Sequence, residues 1–326
     1  VFPVRYVPAV DRFLFAELDL ATLDAPFLDQ RMGDPWSAAG PRAIDATALP
    51  VGRPAWLFHT AFCCSTLLAR ALHAPPATVA LKEPHVLMDL ASHALEDHRP
   101  GTPSLAARTD AACRLLGRPW QAGGHVLVKP TNAVNRILPE LLAATPGSHA
   151  VLLHGSLEDF LYSCLKKLPG AEQPLRWMVQ YLLAGTRLQA SLGIRPDHPF
   201  NPVEASVLTW HAQMERYADA LADDAGDRLR SLGMNTLLEA PVDRVASVAR
   251  WLGLDLGGAG WEDRVAAVFA RNSKDASALY DPATRRAERD ALRRRFEPMV
   301  EAALEWAANA VAPHTRMPAW KDLETR

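Results

Sequence analysis

The sequence predicts an α/β protein with a central parallel sheet, and three observations carry that prediction. Short apolar runs at residues 55–58, 78–81, 125–128 and 149–153 have the length of buried strands. Between and behind them lie segments whose apolar residues recur at three and four positions, the helical period. The links are short, and strands joined through intervening helices run parallel. Ligands of such sheets sit outside the carboxyl ends of the strands, so residues leaving those ends are the first candidates for chemistry.

Composition narrows the classes of function. The chain has 326 residues, 49% of them hydrophobic, which is enough for a large core and argues against disorder. Its 35 Lys and Arg against 37 Asp and Glu disfavour a dedicated nucleic-acid surface and leave local basic pockets as anion sites. Cys63, Cys64, Cys113 and Cys164 form no CxxC pattern, and a disulfide between the adjacent pair would be strained, so a reducing compartment is expected. The first ten residues, interrupted by Pro3, Arg5 and Pro8, have neither a signal peptide's apolar run nor the length of a membrane span. These features predict a soluble, cytoplasmic protein with no membrane or nucleic-acid partner.

Taken in order, residues 1–50 carry many prolines and acidic side chains around Phe13, Leu14, Phe15 and Leu18, and predict an irregular lead-in. The run at 55–58 breaks into the small-residue loop HTAFCCST, and Leu67, Leu68 and Ala71 then mark a helix with Ser65 as its N-cap. The strand at 78–81 feeds Lys82-Glu83-Pro84 and a helix over 85–95. A helix over 104–116 precedes the strand at 125–128, which stops at Lys129-Pro130. Residues 132–144 predict a helix that Pro139 kinks or restarts, because proline lacks a donor and crowds the preceding turn. The strand at 149–153 leads to a helix over 157–168. Helical spacing then covers 175–192, 203–221 and 242–252, with one more short strand within 228–238. The segment 282–311 reads as a charged helix with a solvated face held by i,i+4 pairs. A single domain over 1–326 thus comprises the lead-in, a sheet core over 51–170 and a largely helical part over 171–326.

The loop after Phe58, Glu83, Lys129 and the segment after Leu153 all leave the same edge of this sheet. A helix beginning at the loop directs unpaired N–H groups and a positive dipole end into it, which suits a phosphate or another oxyanion. The loop is not GxxxxGK[ST]: Phe62 stands where a phosphate-contacting lysine is expected, and Cys63-Cys64 replace glycines. Backbone donors and the hydroxyls of Ser65 and Thr66 remain to hold an anion. The two cysteines read as small residues that let the backbone approach a ligand, and His59 as a secondary contact. An ordinary βα turn is the structural alternative.

Together, HTAFCCST, KEP, VKPTN and LLHGSLEDFLYSCLKK resemble the sulfotransferase family, and weaker similarity extends over roughly residues 54–285. The resemblance implies a three-layer, P-loop NTPase-like α/β fold. It implies 3′-phosphoadenosine 5′-phosphosulfate (PAPS) as donor and adenosine 3′,5′-bisphosphate as product. The acceptor would be a small molecule or peptide with a hydroxyl or amine, and no metal is implied. On this resemblance His59, Thr60, Ala61, Phe62, Cys63, Cys64, Ser65 and Thr66 would bind the 5′-phosphosulfate, and Ser163 the 3′-phosphate. RNSKDASALYD, with Arg271 and Lys274, looks like the family's cofactor-covering loop. Glu83 resembles the glutamate base of the protein-tyrosine branch, and Lys129 that branch's lysine beside the transferring group.

The sequence departs from the family at two places. The loop lysine is Phe62, and the arginine eight residues before the 3′-phosphate serine is Gly155. A charge-assisted contact of that kind contributes about 1.5–3 kcal/mol, and His154, Lys166, Lys167, Arg271 and Lys274 are the candidates to replace it. Structural alternatives exist for each site residue: Glu83 in an ion pair with Lys82 or an arginine, Lys129 capping a strand end in solvent, Ser163 bonding its own preceding turn. Two other functions fit the same architecture. One is a nucleotide-dependent kinase, which needs a metal carboxylate and a loop lysine that the sequence does not place. The other is a non-catalytic family member that binds an anion or a partner. No motif identifies the acceptor or the oligomeric state.

Overall fold

The computed structural model of the chain describes residues 1–29, 31, 40–41, 48–49, 53–95, 104–224, 226–272, 279 and 281–324. The lead-in is not irregular throughout. β1 (Phe2–Val7), β2 (Arg12–Ala16) and β3 (Gly40–Pro41) form a small antiparallel sheet. Phe2, Val4 and Tyr6 point inward on alternate positions, but Pro3 and a register shift beside it interrupt the pattern that would mark a strand.

The central sheet contains β4 (Ala55–His59), β5 (Thr78–Lys82), β6 (His125–Lys129), β7 (Ala150–His154) and β8 (Leu229–Gly233), all parallel, in the order β5-β6-β4-β7-β8. Every residue of β4 and β5 is buried, as expected of parallel strands covered on both faces. Successive side chains face opposite sides. Trp56, Phe58, Val79, Leu81, Val126, Val128 and Leu152 join one core, and Ala55, Leu57, Ala80, Leu127, Val151 and Leu153 join the other. Two helical layers therefore sandwich the sheet, as the α/β prediction requires.

The strands alternate with α1 (Ser65–Ala71), α2 (His85–His93), α3 (Leu105–Leu116), α4 (Leu138–Ala144) and α5 (Leu157–Leu165). Pro139 restarts the chain rather than kinking it: a 3₁₀ stretch, Asn132–Ile137, ends where α4 begins, with the proline in its first turn. The expected helix over 175–192 is two, α6 (Glu172–Leu183) and α7 (Arg187–Ser191), separated at Gly185, whose φ of +75° no continuing helix adopts. The long α8 (Pro202–Ala222) follows, opened by an Asn201–Glu204 capping box. After β8 come α9 (Met234–Glu239), α10 (Pro241–Leu252), α11 (Trp261–Phe269) and α12 (Pro282–Trp306).

The charged face of α12 is not simply solvated. Arg293 meets Glu158 at 3.0 Å, Arg289 meets Asp159 at 3.2 Å, and Glu288 pairs with Lys166, so α12 is laid along α5 by ion pairs between helices. The C-terminal segment returns to the sheet. Ser231 N–H donates to Lys321 O at 2.8 Å and Leu323 N–H to Ser231 O at 3.0 Å, covering the outer edge of β8. Trp320 then stacks on His154 at 4.0 Å. None of the described helices is long and apolar enough to cross a membrane.

Several histidines are packed inside this fold as neutral rings. Burial and nearby Lys129 hold His59 well below its ordinary range, and burial takes His73 and His211 down to about 4. His73 Nδ1 accepts from Ala80 N–H at 3.0 Å, a bond that requires the unprotonated nitrogen. Between about pH 6.5 and 4 the unfolded chain binds protons that the folded one refuses, so stability falls as pH falls. Urea midpoints should drop from pH 7 to pH 5, each histidine contributing up to about 1.4 kcal/mol per pH unit. A His73→Gln variant should show a shallower slope; a midpoint independent of pH would contradict this burial.

Candidate active site

The loop after β4 is built without glycine, yet Ala61, Phe62 and Cys64 have φ of +68°, +53° and +63°. Left-handed residues of this kind turn amides inward into a concavity that suits an anion. Among the described residues, the N–H groups of Phe62, Cys63 and Cys64 donate to no backbone carbonyl, and Ser65 and Thr66 open the first turn of α1. Ser65 is not the N-cap: Cys64 occupies that place and Ser65 is the first helical residue. A left-handed N-cap without a side-chain bond carries none of the usual Ser/Asp signature, which explains the one-residue difference.

His59 organises the loop from below. Its Nδ1 accepts from Ala61 N–H at 3.0 Å, so its Nε2 is the protonated nitrogen and donates to Pro130 O at 2.9 Å. Thr60 is buried, with its N–H on Leu153 O at 3.2 Å. Cys63 is buried with its thiol toward Leu153 O, and burial pushes its pKa up; burial takes Cys64 up to about 12. Neither cysteine has thiolate character, in keeping with a packing role.

The loop borders a cleft of about 460 Å³, which His59 lines and the buried Thr60 and Cys63 do not. Ala61, Phe62, Cys64, Ser65 and Thr66 line it, Ser163, Lys166 and Lys167 from the end of α5 form one side, and Phe27, Arg31 and Glu83 form another. Lys167 Nζ lies 3.9 Å above the Phe62 ring, so the residue that replaces the expected loop lysine carries another lysine on its face. Of the other candidates to replace the missing charge, Lys166 pairs with Glu288. His154 is held neutral by burial against Trp320. Arg271 is not among the cleft's lining residues, whereas its neighbour Asn272 is. Lys274 lies outside the described residues. At Gly155 a Cβ would stand 3.7 Å from Cys63, ordinary contact, so packing does not demand glycine there.

Glu83 and Lys129 are brought together by register: Lys82 is level with Lys129 across β5 and β6, and Glu83 N–H donates to Lys129 O at 2.6 Å. The Lys129 ammonium is fully buried and pairs with Glu83 Oε1, while Arg31 approaches Oε2 at 3.3 Å. Lys129 therefore neither caps a strand in solvent nor lines the cleft; it lies behind Glu83. Lys82 faces the other way and donates to Leu23 O at 2.7 Å. Glu83 itself is left-handed at φ +57°, and a strained non-glycine residue leaving a strand at a cleft is a functional-site signal.

Sequence reasoning missed Arg31, which reaches Glu83 only because Leu28 N–H bonds Lys82 O and His85 N–H bonds Leu28 O. It also missed Asn132, Asn135 and Gln213, a buried amide cluster beneath the loop. Gln213 left one signal, a polar residue between Trp210 and Tyr217 on an otherwise buried face.

Fold and cleft define an α/β protein with a strained, glycine-free loop at the carboxyl edge of a parallel sheet and a lysine–glutamate pair beside it. No protein-family profile matches the chain, and no curated protein sequence does. Among solved structures it is similar to the sulfotransferase domain from the curacin biosynthetic pathway, at 13% identity over 70% of this chain and 83% of that one, with a TM-score of 0.39. It is similar to a sulfotransferase from Alicyclobacillus acidocaldarius at 18% identity, over 78% of this chain and 95% of the other, with a TM-score of 0.40. For sulfotransferase STF1 from Mycobacterium tuberculosis the values are 15%, 77%, 78% and 0.41. Likeness at this level says nothing of activity.

The pairing of a fully buried ammonium with one carboxylate has a consequence for stability. Glu83→Gln leaves that charge without its counterion and should cost about 3 kcal/mol in urea unfolding. Adding Lys129→Met should recover much of the loss, because the unpaired charge is then gone. Additive losses in the two variants would contradict the dependence of one group on the other.

Proposed function

We propose that the chain is a sulfotransferase that moves a sulfuryl group from PAPS to a hydroxyl or amine acceptor. The observation that carries this reading is a cleft that joins a loop whose Phe62, Cys63 and Cys64 amides bond no described backbone carbonyl to a carboxylate backed by a buried lysine. The cleft's size and its donors fit a nucleotide bearing phosphates. PAPS would supply an activated sulfuryl group on a phosphate leaving group.

The amides of Phe62, Cys63 and Cys64 with the hydroxyls of Ser65 and Thr66 would hold the 5′-phosphosulfate, and Lys167, placed on Phe62, would supply the positive charge that the loop lacks. Ser163 would hold the 3′-phosphate with Lys166, after that lysine exchanges Glu288 for the ligand. Glu83 would take the acceptor's proton at Oε2, which Lys129 does not hold and from which Arg31, at 3.3 Å, would be displaced by the acceptor. Lys129, shielded from water, orients Glu83 and adds positive potential beneath the reacting atoms. Direct transfer of this kind needs no metal. Lys274 and Arg271 remain proposals as donor-covering residues.

A kinase on this architecture would need a carboxylate to hold its metal at the cleft. Among the described residues the carboxylates that line it, Glu83 and Glu288, are each already paired with a lysine. The reading is tested by a screen of hydroxyl and amine acceptors with PAPS, with mass detection of the added sulfuryl group. Glu83→Gln should abolish transfer while adenosine 3′,5′-bisphosphate binding changes by only about threefold, the scale of a modest contact. Unchanged turnover in Glu83→Gln would remove the role of the base. Tighter binding of ATP than of the bisphosphate would favour the kinase. Bisphosphate binding without transfer to any acceptor would favour the non-catalytic reading.

A further inference from the structure

We infer that Gln213 is a positioning residue that sets the anion loop and fixes it relative to the strand carrying Lys129. This rests on the reading of the cleft as the donor site. Gln213 lies on α8, fully buried, far along the chain from the loop. Its Nε2 donates to Thr60 O at 3.2 Å and to Thr209 O at 3.3 Å. Its Oε1 accepts from Asn132 Nδ2 at 3.3 Å and from Asn135 Nδ2 at 3.2 Å. A primary amide has two donor hydrogens and two acceptor lone pairs, so all four are used and the group has one orientation.

The cluster reaches both sides of the cleft. Asn135 Nδ2 also donates to His59 O at 3.0 Å, so the two carbonyls that enter the loop, those of His59 and Thr60, are each held by a buried amide. Asn132, three residues past Lys129, lines the cleft and hangs from the same Gln213 oxygen. One side chain therefore connects the peptide planes before Ala61 to the exit of β6.

Ala61 and Phe62 would relax to negative φ if the preceding carbonyls were free to rotate, and the Ala61 N–H would leave His59 Nδ1 as the Phe62 amide turned with it. Left-handed non-glycine residues persist only where their surroundings over-determine them. His59 supplies one restraint through its ring, and Gln213 and Asn135 supply the others. An apolar side chain at 213 would leave Thr60 O and the Asn132 amide without this partner, a cost in stability that any buried polar cluster carries, so loop orientation has to be read separately from stability.

The test compares Gln213→Met, nearly isosteric and without hydrogen bonds, with Val265→Ala. Val265 is buried on α11 in the other core and serves as a control for general destabilisation. Amide exchange at residues 61–66 and calorimetric affinity for adenosine 3′,5′-bisphosphate are read in wild type and both variants. Gln213→Met should raise loop exchange and weaken the bisphosphate about tenfold relative to Val265→Ala, the equivalent of roughly one net hydrogen bond. Loop exchange in Gln213→Met equal to that of the control would overturn the inference. If wild type binds no bisphosphate, the donor reading fails, and loop exchange still decides the role of Gln213.

Discussion

A loop that holds Ala61, Phe62 and Cys64 in left-handed backbone without one glycine has to be held by its surroundings, and the rest of this structure can be ordered around how it is held. Each such residue costs about 1–3 kcal/mol. The restraints come from every neighbouring element: Leu153 O on β7 takes Thr60 N–H and the Cys63 thiol, Pro130 after β6 takes the His59 ring, and α8 sends up Gln213. The sheet order puts β4 in the middle, so all of these neighbours are within reach of its end. The strained loop keeps the amides of Phe62, Cys63 and Cys64 off the described backbone carbonyls.

Charge around the cleft is divided in an unusual way. A glycine-rich phosphate loop carries its own lysine; here Phe62 has that place and Lys167 stands on its ring. Lys129, whose charge the strand exit delivers, is spent on Glu83 and hidden from the cleft. The two lysines thus sit at different depths, Lys167 on the cleft wall and Lys129 beneath, holding a carboxylate. A buried ammonium needs that carboxylate in any case, so stability and chemistry make the same demand on Glu83.

Most of the sheet was legible in the sequence because parallel strands covered on both faces read as unbroken apolar runs, as at AWLF and VLV. The grouping of the loop with Glu83 and Lys129 was legible for the same reason, since strands of one parallel sheet end on one edge. Cys64 as a left-handed N-cap was not, because that conformation normally announces itself through glycine or asparagine. Arg31 and Gln213 were invisible for a different reason: each acts through a contact across the fold, with Glu83 and Thr60, and neither belongs to a local pattern. The pairing of α12 with α5 was misread as solvent exposure because charge spacing along one helix does not say which partner it meets.

A loop held in this way is set for an anion before one binds. A crystal structure with adenosine 3′,5′-bisphosphate measures this most directly. Phosphate oxygens should lie within hydrogen-bond distance of the amides of residues 62–66, with Ala61, Phe62 and Cys64 still at positive φ and Lys167 drawn toward the ligand. A loop that flips to negative φ on binding, or a ligand seated away from it, would contradict it.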